Sequence, residues 1–222
     1  MKKEIILTSD HSHSIAIPAM NVTYHSTHGA IQESMHVFIE AGLNHIAVGK
    51  DQISILEMGF GTGLNALLSI AEAEKKQQKI YYETIEADPL EANIYTLLNY
   101  CEQLKRPDLQ PLFELLHRCA WNTVIEITPY FSFRKNIASL VDFSTEQQFN
   151  IIYFDAFAPE VQPELWTTDV FKKLYEWMEA GSVLTTYCSK SIVRKAMAEA
   201  GLTVTKIPGP PHKREIVRAL KQ

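Results

Sequence analysis

The stretch Ile53-Ser-Ile-Leu-Glu-Met-Gly-Phe-Gly-Thr-Gly-Leu-Asn65 decides the fold of this 222-residue chain. It begins with apolar and β-branched residues, which are typical of a buried strand, and continues directly into Gly59, Gly61 and Gly63. Glycines at alternate positions allow a tight turn and a close approach of the backbone to a ligand. The helix predicted from Leu64 would offer free N–H groups to that ligand. The pattern therefore predicts a nucleotide-type binding turn at the carboxyl end of the first strand of an α/β sheet.

The spacing of the glycines indicates which nucleotide the turn binds. The dinucleotide fingerprint G-x-G-x-x-G requires a glycine where this chain has Leu64. The form present is E-x-G-x-G-x-G, and it resembles the first motif of class I S-adenosylmethionine-dependent methyltransferases, in which an acidic residue suits the cationic end of the cofactor. The motif alone leaves a structural glycine turn and an NAD-type site as alternatives. The residues that the resemblance assigns to the cofactor are Glu57, Gly59, Phe60, Gly61, Thr62, Gly63 and Asn65.

A second strand-like run ends in acidic residues and strengthens this interpretation. Residues 79–88 read Lys-Ile-Tyr-Tyr-Glu-Thr-Ile-Glu-Ala-Asp, and Glu86 lies about where the next parallel strand of a βαβ unit ends. A carboxylate at that position can accept hydrogen bonds from both hydroxyls of a ribose. The alternative is a solvated acid at the end of a strand.

The segment Phe154-Asp155-Ala-Phe157-Ala-Pro159 follows another buried strand, Asn150–Asp155, at the edge where open α/β sheets bind ligands. In class I N-methyltransferases the corresponding segment often holds the acceptor nitrogen. An aminoalkyl acceptor has a pKa of about 10, like lysine, so its amine must lose a proton before it can attack a methyl group. Asp155 could orient the ammonium group and accept its proton, and Phe157 could stack on a base. The alternative is a helix-capping aspartate with a core phenylalanine.

Over nearly its whole length the chain resembles the methyltransferase half of the bifunctional bacterial enzymes that complete 5-methylaminomethyl-2-thiouridine in tRNA. The combination of the glycine turn with the Asp-Ala-Phe-Ala-Pro loop is more specific than either part. The motifs that carry the resemblance are Tyr24-His25-Ser26 with Gly29-Ala30, Glu33-Ser34-x-His36-Val37-Phe38, Glu57 to Asn65, Asp155 to Glu160 with Pro163-Glu164-x-Trp166, Thr186-Tyr187-x-Ser189 with Arg194, and Lys213-Arg214-Glu215.

The family implies methyl transfer from S-adenosylmethionine to the primary amine of 5-aminomethyl-2-thiouridine at the tRNA wobble position. We expect His25 and Glu33 to line the substrate side of the cleft, with a structural role as the alternative. The family also implies that Lys213 and Arg214 contact tRNA phosphates.

Three departures from the family pattern stand out. The bifunctional members carry an FAD-dependent oxidase half, for which this chain has no room, so we expect no FAD and a separate source of the aminomethyl substrate. Asn136 stands where an acidic residue is expected after the third strand, with Asp142 as an alternative contact to the adenine. Gly209-Pro-Pro-His212 precedes Lys213, where relatives more often have glycine.

The charge of the chain is unevenly distributed. The formal net charge is −5, but residues 190–222 hold eight basic residues against two acidic ones, a net +6 that leaves −11 for the rest. A basic face on an acidic body suits a polyanion that docks at one edge. The alternative is an ordinary solvated surface.

Composition excludes several other classes of protein. No apolar run approaches the roughly 20 residues that span a bilayer, and the N-terminus lacks the apolar region of a signal peptide. Three cysteines without metal-ligand spacing indicate reduced thiols in a cytoplasmic protein. The histidines between His11 and His36 match no zinc pattern, so we predict no metal. No obligate protein partner is evident.

The order of the predicted elements gives an α/β, Rossmann-like fold, with a seven-stranded, mostly parallel sheet and helices on both faces. Residues 1–50 are predicted to form a β/α extension that packs on the core, and residues 51–222 the methyltransferase domain. Further predicted elements are helices over Ile31–Ala41, Leu64–Lys76, Leu90–Leu104, Leu109–His117, Pro163–Met178 and Ser191–Ala200, an irregular segment over Trp121–Thr128, and a closing hairpin of Leu202–Ile207 and Glu215–Ala219.

Three hypotheses for the function follow. The leading one is a tRNA wobble-uridine N-methyltransferase. The second is a class I methyltransferase that acts on another amine or a small molecule. The third, from a different class, is a tRNA-binding protein whose cofactor site has lapsed; Glu57, Glu86 and Asp155 argue against it.

Overall fold

A computed structural model describes residues 1–46 and 50–222. The strands, in chain order, are β1 (Glu4–Leu7), β2 (His13–Ile17), β3 (Val22–Thr23), β4 (Gln52–Met58), β5 (Lys79–Glu86), β6 (Ile125–Thr128), β7 (Phe131–Ile137), β8 (Phe149–Phe154), β9 (Met178–Thr186), β10 (Thr203–Pro208) and β11 (Glu215–Leu220). The first three form a small antiparallel sheet. The other eight form the main sheet, in the spatial order β10-β11-β9-β8-β4-β5-β7-β6.

The main sheet is parallel in its centre and antiparallel at both edges. Strands β9, β8, β4, β5 and β7 run parallel, whereas β10, β11 and β6 pair antiparallel with their neighbours. The predicted Rossmann-like α/β architecture is confirmed. The sheet has one strand more than the seven predicted, because part of the segment Trp121–Thr128, predicted to be irregular, adds β6 to the edge of β7.

Alternate residues of the central strands enter two separate hydrophobic cores, one on each face of the sheet. Ile151 and Tyr153 of β8 face the first core, and Ile152 and Phe154 face the second. Strands covered on both faces read as continuous apolar runs, which is why these segments could be predicted from the sequence. The same alternation turns Glu57 toward the first core, with Ile53 and Ile55.

Helices cover both faces of the main sheet. They are α1 (Ala30–Ser34, continued by the π-helical Met35–Leu43 and by Asn44–Ile46), α2 (Leu64–Lys76), α3 (Ala92–Tyr95), α4 (Tyr100–Gln103), α5 (Gln110–Arg118), α6 (Thr168–Glu176) and α7 (Ser191–Glu199). Helix α1 packs against β8, β9 and α2. None of the helices within the described ranges combines the length and the apolar character that a bilayer-spanning segment needs.

Two predicted helices are interrupted. The predicted helix Leu90–Leu104 forms two short helices, α3 and α4. It is interrupted because the Asn99 side chain binds the backbone of the N-terminal segment. Its amide nitrogen donates to His11 O, and its amide oxygen accepts the His13 N–H. Pro163–Met178 divides into a 3₁₀ turn and α6.

Thr167 is the N-cap residue of α6, and its side-chain oxygen accepts the Val170 N–H. The helix ends at Glu176, two residues before the predicted Met178, because Met178 already begins β9.

The N-terminal segment and the main sheet share one hydrophobic core. Ile15 and Phe38 belong to the same buried cluster as Ile55, Leu67 and Tyr153. The division of the chain between residues 50 and 51 stays a prediction.

Candidate active site

The carboxyl ends of β4, β5 and β8 open into one cleft with a volume of about 590 Å³. The N-terminal segment and the loop before β11 close its other sides. The predicted site residues that line it are His25, Glu33, Gly59, Phe60, Gly61, Thr62, Asn65, Glu86, Asp155, Phe157 and Lys213. Glu57, Gly63, Asn136 and Arg214 lie outside its lining.

The glycine turn joins the ends of three strands. Gly59 donates its N–H to Ile85 O of β5, and the Asp155 N–H after β8 donates to Met58 O of β4. Gly59 has a φ of +90°, and a side chain there would bring its Cβ within 2.9 Å of Asp155 O. This position therefore requires glycine both for its dihedral angle and for the close approach of two backbones.

Glu86 holds the turn against the end of β5. One carboxylate oxygen accepts the Gly61 N–H at 2.8 Å, and the other accepts the Asp88 N–H at 2.7 Å. Each carboxylate oxygen can accept a second hydrogen bond. The group therefore lines the cleft as a fixed acceptor, with capacity for two further donors.

Glu57 lies elsewhere than predicted. Its side chain is fully buried beneath the sheet face that α2 covers, and among residues 1–46 and 50–222 neither of its oxygens finds a hydrogen-bond partner. Burial raises its pKa well above the ordinary value, and the Asp155 charge adds to the shift. The interaction of Glu57 with a cationic cofactor group stays a prediction, which this geometry does not support because the side chain is buried outside the lining of the cleft.

Two further cofactor residues are placed away from the cleft. The Asn136 side chain is buried against the neighbouring strand, where its amide donates to Glu83 Oε1 at 2.9 Å and to Thr84 O at 3.2 Å. Asp142, the alternative contact to the adenine, accepts a hydrogen bond from Ser139 Oγ on the surface. Gly63, with a φ of +75°, is the N-cap residue that precedes α2.

Asp155 opens into the cleft from the end of β8. One of its oxygens accepts a hydrogen bond of 2.9 Å from the Asn65 amide. Burial and the nearby Glu33 charge raise its pKa to about 7, while Asn65 and the Lys213 charge limit the shift. A carboxyl group with this pKa can both hold and release a proton near neutral pH.

An aromatic wall stands next to Asp155. The rings of Tyr24 and Phe157 meet edge to face, with centroids 5.2 Å apart. The Trp166 indole donates to Phe157 O at 2.8 Å, and the Tyr187 hydroxyl donates to Ala156 O at 2.9 Å. Sequence reasoning did not assign Tyr24 and Tyr187 to the site, although both stand within the motifs that carry the family resemblance.

Glu33 and Lys213 form an ion pair across the cleft. The Lys213 ammonium lies 3.1 Å from Glu33 Oε1 and 4.4 Å from the centroid of the Tyr187 ring. Arg214, by contrast, is exposed outside the cleft.

The loop that carries Lys213 is closed by two backbone hydrogen bonds, from Gly209 N to Arg214 O and from Lys213 N to Pro210 O. The loop's His212 ring stacks on His28, with centroids 4.4 Å apart.

His25 supports the glycine turn from the N-terminal side. Its ring nitrogens lie 3.3 Å from Ser14 Oγ and 3.4 Å from Thr62 Oγ1. Burial lowers its pKa to about 4, so the ring is neutral near pH 7. Within residues 1–46 and 50–222, no three or more histidine, cysteine or acidic side chains gather as a metal site would require.

Comparisons with known proteins agree with this geometry. Residues 130–222 match the model of a family described as S-adenosyl-L-methionine-dependent methyltransferase. The tRNA 5-methylaminomethyl-2-thiouridine biosynthesis bifunctional protein MnmC of Ralstonia nicotianae is 30% identical over 209 residues, which cover 88% of this chain and 31% of that protein. The MnmC of Polaromonas naphthalenivorans is 28% identical over 211 residues, or 89% of this chain and 32% of that protein. The chain thus spans about a third of the length of these relatives.

Solved structures share the fold. The crystal structure of MnmC2 from Aquifex aeolicus superposes with a TM-score of 0.81 at 22% identity, over 100% of this chain and 70% of that one. Spermidine synthase from Thermotoga maritima gives a TM-score of 0.54 at 11% identity, over 98% of this chain and 68% of that one. By sequence the chain is similar to the MnmC proteins, its residues 130–222 match an S-adenosyl-L-methionine-dependent methyltransferase family, and it shares the fold of MnmC2.

Proposed function

We propose that this chain transfers a methyl group from S-adenosylmethionine to the primary amine of 5-aminomethyl-2-thiouridine at the wobble position of tRNA. The observation that carries the chemistry is Asp155, which opens into the cleft beside the glycine turn with a pKa raised to about 7. The proposed nucleoside rests on the similarity to MnmC proteins, whose name states the modification they help to make.

The lining of the cleft fits S-adenosylmethionine. Gly59 and Gly61 line the cleft without side chains, so a ligand can reach the backbone there, and Glu86 offers acceptor capacity suited to the two hydroxyls of a ribose. Phe60, Thr62 and Asn65 would complete the contact surface. When bound, this cofactor supplies a methyl carbon whose bond to a positively charged sulfur breaks as the bond to the acceptor nitrogen forms. The expectations that no FAD and no metal take part stay predictions.

Asp155 would prepare the acceptor. An alkylammonium group has a pKa of about 10, so it arrives protonated and has no lone pair to attack with. Asp155 in its ionised form attracts the ammonium, accepts one proton from it and leaves a neutral amine held in place. Asn65 keeps the carboxyl group oriented through its 2.9 Å hydrogen bond. The proton then passes from Asp155 to solvent.

The remaining side chains would place the nucleotide. Phe157 and Tyr24 offer aromatic surface to a base that has turned out of the anticodon stack. Lys213 and the exposed Arg214 lie where they could meet the phosphates on either side of it. A tRNA substrate implies that the protein works in the cytoplasm.

One observation also favours the second hypothesis, a methyltransferase for another amine. Glu33, Asp155 and Tyr187 select for an alkylammonium group, but none of them distinguishes a uridine from another carrier.

The test is mass spectrometry of nucleosides from tRNA that lacks the last methyl group, after incubation with the protein and methyl-labelled S-adenosylmethionine. We expect label in 5-methylaminomethyl-2-thiouridine. Label in a free amine but not in tRNA would support the second hypothesis instead.

A further inference from the structure

The Lys213 side chain places a primary ammonium group of the protein itself inside the cleft. Its Nζ lies 3.1 Å from Glu33 Oε1 and 4.4 Å from the centroid of the Tyr187 ring. It is also near enough to Asp155 for its charge to lower the pKa of that carboxyl group. An anionic oxygen, an aromatic face and a second carboxyl group therefore surround one alkylammonium group.

These are the features that bind an alkylammonium ligand. A carboxylate gives a charge-assisted hydrogen bond, and an aromatic face attracts a cation through its quadrupole. The amine of the proposed acceptor belongs to the same chemical class as a lysine side chain. The position that Lys213 fills is thus suited to the ammonium group of the acceptor.

The walls of this position are fixed independently of Lys213. The second oxygen of Glu33 accepts the Ser26 N–H at 2.8 Å, and the Tyr187 hydroxyl donates to Ala156 O at 2.9 Å. Lys213, in contrast, extends from a loop whose neighbouring residues Pro211, His212 and Arg214 are exposed. Lys213 is therefore the side chain that can move away while Glu33 and Tyr187 stay in place.

We propose that Glu33 and Tyr187 form an alkylammonium subsite, which Lys213 occupies until a nucleic-acid phosphate draws its side chain away. This inference rests on the proposed function for the identity of the acceptor. Two ammonium groups at the same carboxylate oxygen and the same ring face would overlap and repel each other, so the acceptor competes with Lys213. A phosphate offers the lysine a replacement partner, and the subsite opens when the polyanion docks.

The exchange gives specificity for amines carried on nucleic acid. A free amine must displace Lys213 from Glu33 with no phosphate present to bind the lysine. Its apparent affinity is therefore lowered in proportion to the fraction of molecules in which the subsite is open. An amine on a docked polynucleotide does not meet this penalty. The ion pair between Lys213 and Glu33 thus selects against free amines.

The experiment measures binding rather than turnover, with S-adenosylhomocysteine present. Ligand-observed NMR gives the affinities of 5-aminomethyluridine, uridine and propylammonium for the wild type and for Lys213→Met, which keeps an apolar chain of similar length without the charge. Both amines should bind about fivefold more tightly to Lys213→Met, a factor typical of one partly exposed ion pair with a cation–π contact. Uridine should bind equally to both proteins.

The matched control is Lys206→Met. Lys206 forms a 2.8 Å pair with Glu215 on the hairpin that also carries Lys213, but it lies outside the lining of the cleft. It should leave all three affinities unchanged. Adding Glu33→Gln to Lys213→Met should remove the gain, because the subsite then loses its anion.

An unchanged or weaker affinity of propylammonium for Lys213→Met would overturn the inference, and so would a gain that survives Glu33→Gln. A gain for propylammonium without binding of 5-aminomethyluridine would support the subsite and contradict the proposed nucleoside. The two failures are therefore distinguishable.

Discussion

The neighbouring strands β4 and β8 each carry an acid near their carboxyl end, and both acids have a raised pKa but differ in their surroundings. Glu57 is fully buried outside the cleft, and within the described part of the chain its oxygens have no hydrogen-bond partner. Asp155 is partly exposed, donates its N–H to Met58 O, opens into the cleft and accepts a hydrogen bond from Asn65. Burial is the main cause of the shift in both. A perturbed pKa therefore marks a candidate for chemistry only where a substrate can reach the group.

The largest effect should follow from a change at Asp155. Asp155→Asn keeps the size of the side chain but removes a proton acceptor, so we expect methyl transfer at pH 7 to slow by about 10²–10⁴-fold. Single-turnover measurements with saturating cofactor test this. Cofactor affinity, measured by calorimetry, should stay close to that of the wild type; a comparable loss of affinity would mean that the variant disturbs the turn instead.

The same substitution should make the protein more stable. The folded-state pKa of Asp155, about 7, lies above its ordinary value of 3.8, so its contribution to stability is intact below pH 4 and is lost as the pH rises toward 7. Asp155→Asn avoids this loss and should stabilise the protein at pH 8 by about 1–4 kcal/mol. Denaturant unfolding of both proteins at pH 4 and pH 8 measures the difference. A difference in unfolding free energy between the two proteins that is the same at pH 4 and at pH 8 would contradict the raised pKa of Asp155.

A change at Glu86 should weaken cofactor binding and leave the proton transfer at Asp155 unaffected. Glu86→Ala removes the acceptor capacity that faces the cleft, and hydrogen bonds to a charged group are worth about 1.5–3 kcal/mol. Calorimetry should show S-adenosylmethionine affinity lower by about tenfold or more. Circular dichroism serves as the control for folding, because the variant also loses the contact to Gly61. Unchanged affinity in a folded variant would place the ribose elsewhere.

The smallest effect is expected at Glu57. The side chain is fully buried outside the lining of the cleft, so Glu57→Gln, which keeps its size, should change S-adenosylmethionine affinity by less than about threefold, well below the loss of a charged contact. If Glu57 instead presented its charge to the cofactor, the loss would match that of Glu86→Ala.

The sequence predicted those parts of the molecule that depend on local pattern. Continuous apolar runs identified β4 and β8, and the alternate glycines identified the turn between strand and helix. The ends of parallel strands meet at one edge, so Gly59, Glu86 and Asp155 could be brought together from their positions in the chain alone.

What the sequence could not predict depends on contacts between distant residues. The break between α3 and α4 follows from Asn99 binding the backbone of His11 and His13, more than 80 residues away. Asn136 is drawn to Glu83 on the neighbouring strand rather than to the cleft. The motif gives the position of Glu57 in the chain, whereas strand alternation and the cover of α2 decide which way its side chain faces.

The most direct test of the difference between the two acids is the pH dependence of single-turnover methyl transfer to tRNA, with cofactor saturating. For the wild type and for Glu57→Gln, the rate should rise through an apparent pKa near 7, as Asp155 loses its proton. For Asp155→Asn, that step should vanish, and the remaining rate should increase about tenfold per pH unit toward the pKa of the acceptor amine, about 10. A wild-type profile retained by Asp155→Asn, or lost in Glu57→Gln, would contradict the assignment of the proton to Asp155.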